Sequence, residues 1–141
     1  MLGKTHLYFG IAVVIVFVLT GQYMDREYAH LEGMEPVSRA LFRAGHLYIL
    51  LFGLIHAAYG TNHRALSVAW LRWGQVVGSI VMLLATILVV YAFFTELPTA
   101  KIERPLTRLS LYMILAGVAV NGVASIVGGY AEQRRRPIDT N

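Results

Sequence analysis

The chain has no cysteine among its 141 residues and carries few charges, 14% of the total. Without thiols there are no disulfides, no thiolate-held iron–sulfur clusters and no covalently attached c-type haem. So little charge, set against 57% hydrophobic residues, lies outside the usual range of soluble globular domains. A nucleophile–base pair, a phosphate-binding glycine loop and an alternating strand pattern are also missing, which excludes hydrolysis and phosphoryl transfer. There is no internal repeat and no low-complexity segment. After the first apolar run, Val18-Leu19-Thr20-Gly21-Gln22 offers no small-x-small cleavage site. That run is therefore read as a retained helix, not a signal peptide.

What is present is four apolar runs, 7–23, 41–60, 74–95 and 109–130. A spanning helix needs about 20 such residues. The runs predict four transmembrane helices at about 3–23, 41–60, 70–95 and 106–130, in a single domain covering 1–141. The expected fold is an all-α integral membrane protein, an antiparallel four-helix transmembrane bundle running up-down-up-down.

Local signals refine the boundaries. Ser38 is the expected N-cap of helix two. Asp25 to Leu31 suits one or two interfacial helical turns that stop at Gly33. Pro98 and Pro105 bracket a small loop, and Pro105 suits the first turn of helix four. Gly74 and Gly78 are spaced for close helix approach, and Gly117, Asn121, Ala124 and Gly128 form a ridge of mostly small residues. Tyr8, Tyr59, Trp70, Trp73 and Tyr130 form one expected aromatic belt, and Tyr23, Tyr48, Phe93, Phe94 and Tyr112 the other.

The net charge of +4 does not imply nucleic acid, because Arg134–Arg136 concentrates three charges just past a span. Such a cluster reads as a topology signal and an anionic-lipid contact. By Lys/Arg count the two membrane faces tie. The position of the triple arginine, with Lys4, Arg64 and Arg72 on the same face, favours both termini inside.

Five histidines carry the chemical question. His30 and His63 fall in loops and read as solvated. His6 enters from the N-terminal face, and His46 is shallow on the opposite face. His56 lies one decade of sequence beyond His46, about 15 Å further along the axis at 1.5 Å per residue. His6 and His56 thus reach matching depth on neighbouring helices, while His46 matches neither. Paired imidazoles at one depth are what axial ligation of a b-type haem requires. In that reading Gly10 and Gly53 make room for the macrocycle, and Lys4, Arg64 and Arg72 meet its propionates. The other reading is polar glue, with His56 donating to a backbone carbonyl or to a hydroxyl such as that of Thr5.

Other polar residues have plain readings beside chemical ones. Asp25, Glu27, His30 and Glu32 match no standard metal motif and read as a solvated face. Met24 and Met34 near His30 form either a copper-like set or a lipid contact. Gln75 and Asn121 are expected to hydrogen-bond across the bundle or to meet a quinone headgroup. Arg43, one turn before His46, suits a phospholipid phosphate or a cofactor.

The run Thr5-His6-Leu7-Tyr8-Phe9-Gly10, followed by Leu19-Thr20-Gly21, resembles the opening helix of bacterial membrane cytochromes b. It is similar to the cytochrome b561 type and to reductase-like membrane proteins with PepSY domains. The resemblance covers about twenty residues and implies a haem-ligand role for His6 alone. The chain lacks the second histidine pair usual in two-haem members. A second site on the far face would have His46, with His30 or Met24 from the loop.

Two functions are therefore expected. The first is a small b-type haem protein of the bacterial inner membrane, with His6 and His56 as metal ligands, passing electrons to or from a quinone or a membrane redox complex. The alternative is a haem-free accessory or scaffold subunit of a larger membrane complex, or a lipid- or quinone-binding protein. Enzymatic activity is left open. The expected partners are the bilayer, a quinone or a larger complex, and a second copy of the chain, with no nucleic acid.

Overall fold

The computed structural model describes residues 1–96 and 103–134, apart from the side chain of Glu132. Pro98, Lys101, Arg135 and Arg136 lie outside the described residues. Four helices account for most of the chain: α1 (Leu2–Tyr28), α2 (Pro36–Asn62), α3 (Ala69–Glu96) and α4 (Pro105–Gln133). All four are long and apolar enough to cross a membrane. Among the described residues there is no strand.

Each helix forms because its apolar residues run all the way round it. Ile15, Leu51, Leu84 and Ile126 point outward and are exposed, while Val13, Ile49, Phe52, Val89 and Ile114 are buried. A helix apolar on every side suits surroundings that are themselves apolar.

Several boundaries differ from those read in the sequence. α1 does not end near Tyr23 but continues to Tyr28, so the expected loop 24–40 shrinks to a tight connection. The cap of α2 is Glu35, not Ser38: its carboxylate accepts from the Ser38 amide at 3.0 Å, with Pro36 opening the helix. This carboxylate sits where the first-turn amides are otherwise unpaired. Those bonds to the Ser38 and Val37 amides hold its pKa below the usual carboxylate range.

The turn between α1 and α2 is strained. Ala29, His30 and Leu31 all adopt left-handed backbone, with φ of 44°, 56° and 66°. For residues with a Cβ this costs roughly 1–2 kcal/mol each. The turn buries Leu31 against Met24 and Phe42, and burying a leucine returns about 1.5–3 kcal/mol.

The helices pack as two tight pairs. α1 lies along α2 and α3 along α4, and a slimmer α2–α3 contact joins the pairs. Glycines set the closeness of each pair. A Cβ at Gly10 would stand 2.6 Å from the Ala57 nitrogen, and one at Gly60 only 2.5 Å from the Leu7 nitrogen. In the second pair, a Cβ at Gly117 would meet Met82 at 2.5 Å. The expected ridge on α4 is correct in its burial, since Gly117, Asn121, Ala124 and Gly128 are all buried. Gly78 meets Asn121 and Gly117, but Gly74 faces open space, so only half of that spacing is used here.

Candidate functional site: a buried histidine pair beside an open helix seam

His6 and His56 do meet. Both are fully buried, and their Nδ1 atoms lie 2.6 Å apart in a direct hydrogen bond. The rings stack with centroids 4.8 Å apart. On the far side of His56, its Nε2 lies 2.8 Å from the Thr86 hydroxyl on α3.

The proton positions along this chain follow by elimination. The Thr86 hydroxyl donates to the Met82 carbonyl at 3.0 Å, so it can only accept from His56. A neutral His56 therefore carries its proton on Nε2 and accepts at Nδ1. His6 must then donate from Nδ1, which leaves its Nε2 as a bare lone pair. That atom is buried with no partner among the described residues.

A second chain of polar contacts crosses from α2 to α4. The Tyr59 hydroxyl donates to Asn121 Oδ1 at 2.8 Å, and His63 Nδ1 lies 3.1 Å from the same hydroxyl. Asn121 in turn donates to the Gly117 carbonyl at 3.0 Å and to the Met82 sulfur at 3.4 Å. The Tyr59 ring sits edge-on to His6, centroids 4.7 Å apart, so the two chains adjoin. His63 is half-buried, and burial holds its pKa below the ordinary value.

This second chain forms the floor of a crevice. α2 and α4 barely touch, and between them lies a cavity of about 490 Å³ at one end and one of about 480 Å³ at the other. The latter has Tyr59, Asn62, His63, Asn121 and Ser125 as its polar lining, with Ile55, Ile114 and Val118 among its apolar walls. No lysine or arginine lines it.

As placed here, His6 and His56 leave no room for a macrocycle between them. Metal–nitrogen bonds of about 2 Å would hold two axial nitrogens about 4 Å apart with the macrocycle between them. Here the nitrogens are 2.6 Å apart and hydrogen-bonded to each other. Gly10 and Gly53 open no slot, since each is in contact with the other's backbone. Arg64 and Arg72 are exposed, and the Arg64 carbonyl serves structure by accepting from Gln75 at 3.1 Å. Among the described residues no group of three or more His, Asp or Glu could hold a metal ion. The residues present do not fit a haem between α1 and α2.

The remaining expected residues fall in separate places. His46 bonds Thr20 at 3.1 Å and stacks on Phe17 at 4.0 Å, apart from the His6–His56 pair. His30 is exposed and paired with Asp25. Thr5 bonds the Met1 carbonyl and does not serve His56. Among the aromatics, Tyr8, Trp70, Trp73 and Tyr130 are exposed, but Phe93 is core and Tyr59 turns inward.

Three contributors were missed: Thr86, Tyr59 and Glu96. The signal for Thr86 was available in Gln75, Ser79, Met82 and Thr86, which recur at helical spacing as an inward stripe, all buried. Glu96 gives no such signal. Its carboxylate accepts from the Leu106 and Thr107 amides at 2.6 and 3.0 Å, contacts made only once the chain has folded back.

The arrangement defines a class: an all-helical protein with four helices able to cross a membrane, a buried histidine pair and a helix seam open on its outer side. No family model, no curated protein and no solved structure matches the chain.

Proposed function

We propose that the protein is a haem-free, quinone-binding integral membrane protein of the bacterial cytoplasmic membrane. Its helices cross the bilayer up-down-up-down with both termini inside. The contacts Gly3–Gly60 and Gly10–Ala57, then Gly78–Asn121 and Met82–Gly117, support that course. The headgroup occupies the α2–α4 crevice, and the isoprenoid tail leaves between the helices into lipid.

The observation that carries this reading is the makeup of the crevice: apolar walls, a floor of Tyr59, Asn121 and His63, and no cationic lining. A phospholipid phosphate placed there would be unpaired, which is costly in an apolar setting. A flat, uncharged ring with oxygen atoms at its edge suits it. Because the Tyr59 hydroxyl donates to Asn121, it accepts from His63 Nδ1. A neutral His63 therefore presents an Nε2 lone pair to a hydroquinone hydroxyl. A protonated His63 presents a donor to a quinone carbonyl.

The test is chemical extraction together with titration. Purified protein should yield a quinone to organic solvent, show no Soret band, and bind a short-chain quinone by calorimetry. Asn121→Leu should weaken that binding roughly tenfold, the scale of one lost hydrogen bond. A Soret band would restore the haem reading. Colourless protein with no quinone and no heat of binding would leave the accessory-subunit reading.

A further inference from the structure

The other end of the same seam, beside the start of α4, has the opposite electrostatic character. Its cavity of about 490 Å³ is lined by Leu41, Ala44, Tyr48, Arg104, Arg108 and Leu111, with Glu103 as its one acidic residue. Arg104 is built into the wall. Its Nη1 donates to the Leu41 carbonyl at 2.9 Å, which ties the guanidinium to α2. Its Nε is buried and has no partner among the described residues. Arg108 follows one helical turn later on the same face of α4, and its side chain is exposed.

The helix start itself is not what attracts an anion here, because Glu96 already takes the Leu106 and Thr107 amides. The positive charge comes from the two guanidinium groups. Burial pushes the Arg104 pKa down, against opposing contributions from Glu96 and Tyr48, so a further anion beside it would be favoured. Planar guanidinium groups suit a phosphate, which they bind through paired N–H donors. Leu41, Ala44 and Leu111 add an apolar wall that a free phosphate would have no use for.

The geometry points to a binding site for an anionic phospholipid, with its phosphate on Arg104 and Arg108 and an acyl chain against Leu41, Ala44 and Leu111. This site is separate from the quinone crevice and does not rest on it. Each arginine is expected to contribute about fivefold in affinity, as for basic residues at an anionic membrane surface.

The test uses the full chain in detergent, with native mass spectrometry and thermal unfolding as readouts. The probes are phosphatidylglycerol micelles, phosphatidylcholine micelles and inorganic phosphate alone. Phosphatidylglycerol should stay bound and raise the Tm, and the other two should not. Arg108→Gln should raise the half-saturating phosphatidylglycerol concentration about fivefold while leaving the lipid-free Tm unchanged. Arg104→Gln should do at least as much. If losing the Leu41 tie prevents that variant from folding, Arg108→Gln carries the test alone. Arg64→Gln, outside this cavity, should behave as wild type. Equal retention of both phospholipids, an unchanged response in Arg108→Gln, or a full shift from inorganic phosphate alone would each overturn the proposal.

Discussion

Because Thr86 commits its proton to Met82, the tautomers of His56 and then His6 are set in turn, and each imidazole needs the other. Removing one partner leaves a buried polar nitrogen unsatisfied, at a cost of about 1–3 kcal/mol. His6→Ala and His56→Ala should therefore each lower stability by that amount, and the double variant by clearly less than the sum. Thermal unfolding of the four proteins in one detergent measures this coupling; strict additivity would mean that the bond contributes nothing. His46→Ala should be milder, since His46 is only partly buried and loses one bond to Thr20. His63 gives a pH test of the quinone reading. Burial keeps it neutral further into the acid range than an ordinary histidine. Lowering the pH through its depressed pKa should weaken hydroquinone binding and strengthen quinone binding. His63→Ala should remove both trends, as two titrations at pH 7 and in the acid range would show.

At the scale of helices, the α1–α2 pair depends on backbone approach that only glycine permits. A Cβ at Gly60 would stand 2.5 Å from the Leu7 nitrogen and 2.7 Å from the Gly3 oxygen. Gly60→Val should force the helices apart and cost about 1–3 kcal/mol or more through overpacking. Gly74→Ala, where a Cβ meets nothing, should be neutral or slightly stabilising. Comparing the yields and unfolding temperatures of the two variants checks the packing directly. Glu96 works differently, joining the end of α3 to the first turn of α4 across the intervening connection. Glu96→Ala releases the Leu106 and Thr107 amides and the Thr107 hydroxyl, the last held at 2.7 Å. The loss should be about 0.5–2 kcal/mol, as for other helix caps, and hydrogen exchange should rise selectively at residues 106 and 107.

For the molecule as a whole, two close pairs joined by a slimmer contact leave α2 and α4 apart along a seam. Its two ends differ: one has an uncharged polar floor, the other two arginines. An amphiphile reaching the seam from lipid would meet different chemistry at each end. If Lys4 and Arg64 share the cytoplasmic face, a fluorescent reporter fused after Asn141 should be bright and a periplasmic phosphatase fusion silent. Phosphatase activity at that position would reverse the assigned faces, and with them the leaflet that supplies each end of the seam.

The number, order and approximate length of the helices were determined by the sequence alone. An apolar segment must satisfy its backbone hydrogen bonds internally, so the four runs admitted one solution. The matched positions of His6 and His56 were likewise legible, because axial position depends only on rise per residue. Lateral distance is different in kind, because it depends on which side chains from distant parts of the chain lie between two helices. Gly10 and Gly53 were equally consistent with a slot for a macrocycle and with touching backbones, and the tertiary structure decided for contact. It also turned Tyr59 inward to Asn121 and brought Glu96 to the start of α4. A tyrosine near a helix end and a carboxylate past an apolar run each have several low-energy places to go. Only the partner supplied by folding selects among them.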